Sequence, residues 1–479
     1  MPHLYFTDLT ALRRPALVDG VPHELSEEVI EAAERFGLVD GMPFILGDDG
    51  SYDHDLNRFF RACPTMGVRS LNSLRAYALD ILVWLRFLTE RRGSKSVWSA
   101  DREDIAAFHE ARRLSAPSHR ISAASWNRAV AALDKLYRWA VEEKLIAKTP
   151  FTYRQIWTRA IDRRAISVEV NMARESAARK GDMRFVSLER YLLFRDVGLL
   201  GRLPDGQEDP TWRGRNSARN ALFAELLVTT GLRLQEASHL LTAELLLPTA
   251  QDGQRSVPFR LAAPTAKGEK GREIRLPSRV LARLLDYREV ERANAVTRWH
   301  ERRSWMRIET PLLVGTHDDR TFHLGRDRVR LDRFSPKERD RLLHRDNLEP
   351  MMLWLTEGGL PMPMSSWQAV FRRASERCRS FGLDIEVTPH MLRHAFAVHM
   401  LTLLLREQIG WMLEERMGSM SPAYRRLIGD PLLKLQRLMG HSRIESTYIY
   451  LDHLDDSQAL VDAAVEQWGL DVASVEAVT

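Results

Sequence analysis

Apolar side chains recur at helical spacing through most of this chain, and the clearest patterns lie between residues 70 and 144. The first pattern, over about 70–92, has as its apolar positions Leu74, Tyr77, Ile81, Trp84, Leu85 and Leu88. The second, over about 123–144, has Trp126, Val130, Leu133, Leu136, Tyr137 and Ala140. Apolar positions three and four residues apart predict an amphipathic helix in each stretch. Asp101 predicts the N-cap of a further helix that ends near Arg113.

The order of these patterns predicts a mainly α fold with a small β element, arranged in several parts. Residues 1–66 are an acidic accessory region with one helix at about 26–36, and residues 67–158 form a compact helical domain. Residues 159–186 are rich in arginine and poor in apolar residues, which predicts a linker or a linker helix. A larger helical domain follows over 187–465, with insertions near 290–350 and 406–429, and an acidic tail closes the chain at 466–479.

One stretch of the larger domain has the alternation and turn chemistry of a β-hairpin. The two short runs Ser256–Ala262 and Arg272–Pro277 are joined by a polar segment that contains Gly268 and Gly271. Glycine supplies the backbone freedom that tight hairpin turns need. Lys267 lies at the start of this segment.

Charge is distributed unevenly, although the formal net charge is only +5. Residues 1–66 carry 5 Lys/Arg against 12 Asp/Glu, whereas residues 67–186 carry 23 against 13. Residues 451–479 contain seven acidic residues and no basic ones. A basic middle with acidic ends is compatible with binding of a polyanion. Basic helices are also found simply solvated, so charge alone leaves both interpretations open.

Composition narrows the class of protein further. The sequence has no apolar run of about 18 residues and no basic-then-apolar start, so it predicts neither a membrane span nor a signal peptide. The two cysteines, Cys63 and Cys378, have no metal-ligand spacing. Together these features predict a cytoplasmic protein that does not act at a membrane.

Three polar motifs follow one another in the larger domain. The first is Thr230-Gly231-Leu232-Arg233-Leu234-Gln235-Glu236, in which Gly231 interrupts a helix that resumes around Leu232. Arg233 would then lie in a first helical turn, where free backbone N–H groups also favour an anion. Glu236 shares its face. Alone, this motif is more typical of a surface Arg–Glu pair on an ordinary helix.

The second motif is His390-Met391-Leu392-Arg393-His394, preceded by Thr388-Pro389. Thr at the N-cap and Pro at the first helical position predict a helix start. His390, Arg393 and His394 would therefore share one helix face. A zinc site is disfavoured because the motif lacks the Glu of His-Glu-x-x-His and an arginine stands beside the histidines. An arginine fork suits phosphate better.

The third motif begins at Gly440-His441 and ends at Tyr450. Pro431 predicts the start of a helix that Gly440 would end, and Ser442 with Glu445 has the pattern of a capping box for the next helix. His441 would lie in the tight loop between them. A Gly-His after a helix and a Tyr beyond it are, taken singly, more often a cap and a packing residue.

In this order the motifs resemble those of the tyrosine recombinases, also called the phage integrase family. The resemblance covers about 187–465, and the helical block 67–158 is similar to the family's core-binding domain. It implies a fold in which a core-binding domain and a catalytic domain form a clamp on DNA. Two gaps, from Arg233 to His390 and from His390 to His441, are longer than in compact members of the family.

The resemblance implies a function and roles for the site residues. Tyr450 would be the nucleophile that forms a 3′-phosphotyrosyl bond with DNA, with Tyr448 as its rival. Arg233 and Arg393 would bind the phosphate oxygens, Lys267 would protonate the leaving 5′-oxygen, His390 would accept the tyrosine proton and His441 would hydrogen-bond the phosphate. Supporting roles fall to Glu236 and His394.

The resemblance also implies partners and cofactors. The partner would be double-stranded DNA, bound by a homo-tetramer that joins two sites; no membrane is involved, accessory proteins are unknown, and neither a cofactor nor a metal is needed. The leading hypothesis is a site-specific recombinase that serves integration, excision or transposition of a mobile element. The alternatives are a chromosome-dimer resolvase of the same family, a type IB topoisomerase, and a DNA-binding regulator that has lost catalysis. A metal-dependent transposase would need clustered carboxylates.

Overall fold

The chain divides into two compact units, Met1–Asp182 and Met183–Thr479, each with its own hydrophobic core. A computed structural model describes residues 1–18, 21–36, 38–159, 165–175, 184–246, 255–316, 321–415 and 430–454. Helices dominate both units and the sheets are small, which confirms the mainly α fold class. Within the described ranges, no helix combines the length and the apolar character needed to cross a membrane.

Six α-helices and six short strands make up the described part of the first unit. The helices are α1 (Leu9–Leu12), α2 (Glu27–Arg35), α3 (His54–Ala62), α4 (Leu71–Arg91), α5 (Arg102–His109) and α6 (Ala123–Glu142). The strands are β1 (His3–Phe6), β2 (Ala16–Val18), β3 (Val21–His23), β4 (Pro43–Leu46), β5 (Tyr153–Arg159) and β6 (Ala165–Asn171). The helices predicted around 26–36, 70–92 and 123–144 are confirmed to within two residues. The Asp101 cap is confirmed as well, since its side chain accepts from the N–H groups of Glu103 and Asp104.

The core of the first unit lies between α4 and α6 and extends into the N-terminal segment. Trp84 Nε1 donates to the Tyr137 hydroxyl across 2.8 Å, and both side chains are fully buried. Met42, Ile45 and Phe59 pack in the same core. The N-terminal segment, expected as an accessory region, therefore contributes directly to the core of this unit.

Strand β6 lies within the stretch 159–186 that the sequence predicted as a linker or a linker helix, and β5 ends at the first residue of that stretch. They form an antiparallel pair, from Tyr153 opposite Asn171 to Arg159 opposite Ala165. Asp134 on α6 holds the open end of the pair, because it accepts from the Tyr153 hydroxyl at 2.6 Å and from Asn171 Nδ2 at 2.9 Å. The linker-helix alternative is thus wrong for residues 165–171, which form a hairpin with β5 that is anchored on the first unit.

The second unit contains the remaining helices and strands. Its described helices are α7 (Leu188–Leu193), α8 (Ser217–Thr230), α9 (Leu234–Ser238), α10 (Ser278–Tyr287), α11 (Ala293–Glu301), α12 (Pro336–Arg339), α13 (Met364–Ser380), α14 (Pro389–Glu415), α15 (Pro431–Met439) and α16 (Glu445–Tyr448). Its strands are β7 (Ser256–Arg260), β8 (Glu273–Pro277), β9 (Leu312–Thr316), β10 (Thr321–Leu324), β11 (Asp327–Arg330) and β12 (Leu342–His344). The predicted hairpin is confirmed, since β7 and β8 pair antiparallel from Ser256 opposite Pro277 to Arg260 opposite Glu273.

Residues near 290–350, predicted as an insertion without assigned structure, form a four-stranded sheet with α11 and α12. The strand order is β11-β10-β9-β12, and only the β9–β12 pair is parallel. Val314, Phe322 and Leu342 belong to its small core. Arg339, only 1% exposed, forms two 2.9 Å hydrogen bonds with the Glu244 carboxylate, and this buried pair ties the sheet to the rest of the unit.

The C-terminal predictions fall partly outside the described residues. Helix α14 continues to Glu415, so the insertion predicted near 406–429 begins inside a helix. Residues 416–429 lie outside the described ranges. The acidic tail at 466–479 lies outside them too.

Candidate active site

One open cavity of the second unit, about 520 Å³ in volume, collects the side chains that the sequence motifs singled out. Its lining is formed by Arg233, Lys267, Gly268, Lys270, His390, Arg393, His394, Gly440, His441, Ser442, Arg443, Ser446, Ile449 and Tyr450. Motifs far apart in the sequence thus meet at one place. No Asp or Glu belongs to this described lining, whereas five Lys and Arg side chains do, so the cavity favours an anion.

Arg233 reaches the cavity because α8 ends abruptly at Gly231. Gly231 has a φ of +65°, and a Cβ there would lie 2.3 Å from Phe396 Cδ1, so glycine is needed on both counts. Helix α9 then begins at Leu234, with Arg233 as its N-cap and not in its first turn. Glu236 accepts from the Arg233 backbone N–H at 2.8 Å and from Nη1 at 2.9 Å. The other side-chain donors of Arg233 have no partner among the described residues and remain available.

Glu236 is also held by Arg272, a residue that the sequence motifs did not single out. The two Nη atoms of Arg272 donate to the two carboxylate oxygens across 2.7 and 2.8 Å. Burial alone would raise the pKa of Glu236, but Arg272 and then Arg233 outweigh it and hold the pKa at about 2. Glu236 is therefore an anion at neutral pH, shared by two arginines.

Arg393 is buried in the site, on the first turns of α14. The predicted helix start is confirmed, since Thr388 Oγ1 accepts from the backbone N–H of Met391 at 3.3 Å. Arg393 is only 3% exposed, and its guanidinium donates to the carbonyl oxygens of Gly231 and Met439. Burial, followed by repulsion from Arg233, lowers its pKa to about 9, which still leaves it charged at neutral pH.

His394, predicted as a supporting residue, is the histidine that lies within hydrogen-bonding distance of Tyr450. Its Nδ1 is 3.1 Å from the Tyr450 hydroxyl. His390 lies behind it, with the two imidazole centroids 4.2 Å apart and the rings nearly perpendicular. Burial, then the neighbouring His390 and Arg393, lowers the pKa of His394 to about 4, so its imidazole is neutral near pH 7.

His441 follows a helix end that is specified by glycine. Helix α15 begins at Pro431 and ends at Gly440, whose φ of +63° confirms the predicted helix end. A Cβ at Gly440 would lie 2.7 Å from Arg272 Cδ. His441 Nδ1 is 3.0 Å from Thr447 Oγ1, and burial together with Arg393 lowers the pKa of His441 to about 4.

The loop after His441 differs from its prediction in one respect. Helix α16 begins at Glu445, after Ile444, and no side chain caps it, so the capping box predicted for Ser442 and Glu445 does not form. Ser442 instead lies in the lining of the cavity. The helix is only one turn long and brings Thr447 back to His441, which accounts for the loop's shape without the cap.

Tyr450 follows α16 and is the only tyrosine among the described residues that line the cavity. It is 1% exposed, and its ring stacks on His441 with centroids 6.1 Å apart. Burial raises the pKa of its phenol, while Arg393 and Arg233 partly offset that rise. The rival Tyr448 is 47% exposed and lies outside the cavity lining. Of the two candidate tyrosines, Tyr450 is therefore the one that lies beside the cationic side chains of the cavity.

Lys267 stands in the turn between β7 and β8. It opens a short 3₁₀ turn, Lys267–Glu269, in which Gly268 has a φ of +71°. The Lys267 side chain is exposed and lines the cavity. Lys270 and Arg443 line the cavity as well, although the sequence analysis assigned them no role. The only sequence signal for them is their position next to the motif residues Lys267 and His441. Within the described ranges, no group of three or more His, Cys, Asp or Glu side chains is arranged to hold a metal.

Comparisons with known proteins point to one family. Residues 51–144 match the family model for the phage integrase, N-terminal SAM-like domain. The tyrosine recombinase XerD of Corynebacterium glutamicum is 31% identical over 105 residues, which are 22% of this chain. The match spans a quarter of the length of that relative.

The solved structures that this chain matches include three complexes. They are the XerH site-specific recombinase in a post-cleavage complex with difH (15% identity; 87% of this chain and 85% of that one), the Tn1549 transposon integrase with transposon right end DNA (15%; 81% and 92%) and a lambda integrase dimer on a core site (15%; 83% and 93%). Each has a TM-score of 0.43.

The SAM-like match overlaps the helical block predicted at 67–158 and begins earlier, within the N-terminal segment. The comparisons agree with the resemblance to the tyrosine recombinases, or phage integrase family, that the sequence motifs indicated.

Proposed function

We propose that this protein is a site-specific DNA recombinase that cleaves and rejoins DNA through a covalent bond at Tyr450. The phenol oxygen attacks phosphorus, and the bond between phosphorus and the 5′-oxygen breaks, which leaves a 3′-phosphotyrosyl group and a 5′-hydroxyl. The reverse attack by a 5′-hydroxyl of another strand restores the phosphodiester and frees the tyrosine. Neither half of this exchange consumes ATP.

One observation carries the proposal: a tyrosine hydroxyl lines a cavity that has five cationic side chains and no carboxylate among its described lining residues. The phosphodiester is an anion whose charge grows in the transition state, so fixed cations around it lower the barrier. Glu236 does not cancel this charge because Arg272 and Arg233 share it.

The geometry supports distinct tasks for the side chains. The donors of Arg233 that Glu236 leaves open bind a non-bridging phosphate oxygen. The positive charge of Arg393 stabilises the same phosphate. Lys267 protonates the leaving 5′-oxygen, and His441 hydrogen-bonds the phosphate. By distance, His394 is the residue that takes the phenolic proton, and His390, which the sequence predicted for this role, stands second in line.

The substrate in this proposal is duplex DNA, bound mainly through its phosphates. The basic stretch 67–186, with 23 Lys/Arg against 13 Asp/Glu, lies mostly in the unit that contains the SAM-like match, and it supplies sequence-independent affinity. Affinity should therefore fall steeply with salt. The clamp on DNA and the homo-tetramer that joins two sites stay predictions from the family resemblance.

The decisive experiment captures covalent protein–DNA adducts from a library of DNA sequences, so that no target sequence has to be assumed. The protein is incubated in EDTA with a library of duplexes of about 30 base pairs with randomised centres, denatured with detergent, and the DNA bound to protein is sequenced. We expect adducts with wild type and with Tyr448→Phe, and none with Tyr450→Phe, which still binds DNA. Adducts with Tyr450→Phe would refute the assignment. Absence of adducts with wild type would favour a regulator without catalysis.

We propose a mobile element as the biological setting, because the chain carries a four-stranded sheet and an N-terminal segment beyond the catalytic constellation. Captured sites placed in pairs on plasmids test this. Strand exchange between two sites on different DNA molecules is expected. Relaxation of a supercoiled plasmid without any captured site would instead indicate a topoisomerase, and exchange confined to directly repeated sites on one molecule would indicate a resolvase.

A further inference from the structure

We infer that Arg272 is a positioning residue that holds three parts of the active site in register, and this inference rests on the function proposed above. Arg272 stands one residue before β8, at the end of the loop that carries Lys267. Its backbone carbonyl accepts from the Leu261 N–H at 2.9 Å, which closes the hairpin. Its side chain is only 9% exposed and turns inward.

The contacts of Arg272 reach two other segments of the site. The paired Nη donors bind both oxygens of Glu236, the residue that also binds Arg233. The Nε donates to the Leu438 carbonyl at 2.9 Å, in the last turn of the helix that precedes His441. A single planar guanidinium thus joins the hairpin, the Arg233 segment and the His441 segment.

Arg272 does not serve as a phosphate ligand itself. It is absent from the described lining of the cavity, and Nε and both Nη atoms already donate to protein oxygens. Its effect on Arg233 is indirect: it satisfies Glu236 from the far side, so that Glu236 fixes Arg233 without neutralising it fully. Removing Arg272 would leave Glu236 to pair with Arg233 alone and would release the end of α15.

The main test measures the rate of adduct formation in a single turnover at saturating DNA, with a nicked duplex obtained by the covalent capture. Because misplacement of reacting groups by about 1 Å costs on the order of 10²-fold in rate, we expect Arg272→Ala to lower the rate constant by about that factor. The dissociation constant for DNA should change less than threefold. Arg275→Ala removes the same charge from an exposed position on β8 and serves as the matched control.

The rate constant distinguishes positioning from a purely structural role. If Arg272 only stabilised the fold, Arg272→Ala would lower the fraction of protein that reacts and leave the rate constant of the reacting fraction unchanged. Arg272→Lys guards against a variant that fails to fold. Lysine keeps the charge but not the bidentate fork, so we expect a loss of about tenfold, and a wild-type rate for it would overturn the inference.

A second substrate identifies the route by which Arg272 acts. In a duplex whose bridging 5′-oxygen at the cleaved phosphate is replaced by sulfur, the leaving thiolate needs no proton. Lys267→Ala should recover on this substrate, whereas Arg272→Ala should not, because its contacts lead to Arg233 and His441. Equal recovery of both variants would overturn the inference. If wild type itself forms no adduct, the proposed function fails first and the inference falls with it.

Discussion

Two buried arginines in the second unit, Arg393 and Arg339, have opposite electrostatic surroundings. Arg339 is paired with the Glu244 carboxylate and also donates to the backbone carbonyls of Phe334, His239 and Leu331. Among the described residues, Arg393 donates hydrogen bonds to the carbonyls of Gly231 and Met439 and to no carboxylate. Both donor sets are anchored, but of the two only Arg339 forms an ion pair with a carboxylate among the described residues.

The difference separates a stabilising cluster from a functional one. A buried charge without a counterion is costly for the fold, and it persists where an anionic ligand supplies the missing charge. The charge of Arg339 is balanced within the protein, because Glu244 supplies the counterion. The predictions below test this distinction, in order of decreasing effect.

Loss of the balanced pair should affect stability most. Arg339→Met leaves the Glu244 carboxylate buried without a partner, so we expect a destabilisation of about 3–5 kcal/mol, measured by urea unfolding with tryptophan fluorescence. The double variant Arg339→Met/Glu244→Leu should recover most of this loss. As a control, Arg330→Ala removes an exposed pair with Asp332 and should cost less than about 1 kcal/mol. A small effect of Arg339→Met would break the comparison.

Loss of the unbalanced charge should affect the reaction more than the fold. Arg393→Ala should slow adduct formation by about 10²–10³-fold, the usual effect of removing one donor that stabilises a developing anion. Its cost in stability should be clearly smaller than that of Arg339→Met, because removal also relieves repulsion from Arg233. The folded fraction of Arg339→Met should react within threefold of wild type. Similar rates for the two variants would contradict the distinction.

The cationic cavity should also make the protein sensitive to acid. The pKa values of His394 and His441 are lowered to about 4, against about 6.5 in an unfolded chain. Between these values the unfolded chain binds protons that the folded protein does not, so stability falls as the pH drops from 6.5 towards 4. Above pH 6.5 both imidazoles are neutral in the folded and the unfolded chain, so they add nothing to the pH dependence of stability. We expect the urea midpoint to fall across this window.

The contribution of each histidine can be isolated by substitution. His394→Asn/His441→Asn should flatten the dependence of the urea midpoint on pH between 6.5 and 4. NMR titration of the imidazoles should show higher pKa values for both histidines in Arg393→Ala than in wild type, since Arg393 contributes to each lowered value. An unchanged slope in the double variant would place the acid sensitivity elsewhere.

The smallest expected effect concerns the orientation of His441. Thr447→Val removes the hydroxyl that lies 3.0 Å from His441 Nδ1. The loss of one neutral hydrogen bond, about 1 kcal/mol, corresponds to a decrease of about fivefold in the rate of adduct formation. Thr402→Val removes a hydroxyl that bonds within α14, to the Val398 carbonyl, and should leave the rate unchanged.

Sequence patterns predicted those parts of the molecule whose signals are local. The apolar faces of α4 and α6, the Asp101 cap and the glycine at the end of α15 each depend on neighbours a few residues away. The motifs around Arg233, Arg393 and His441 were recognised in the same way. Their meeting at one cavity was implied only by the family resemblance, because periodicity says nothing about contacts between distant segments.

The missed parts share a different physical cause. The strands β9 to β12 are three to five residues long, and Arg, His and Asp interrupt their apolar positions, so no period emerges. The hairpin of β5 and β6 depends on Asp134, which is distant in sequence from both of its hydroxyl and amide partners. Arg272 has partners 36 and 166 residues away, and no local pattern marks it.

Gly440 limits which substitutions this sequence can accept during evolution. Any other residue there would meet both an unfavourable backbone angle and the Arg272 side chain. A substitution of Gly440 is therefore disfavoured both by the backbone angle and by contact with the Arg272 side chain. A shorter side chain at position 272 would remove only the second of these two effects. Relatives that have lost this glycine should accordingly have lost the arginine as well.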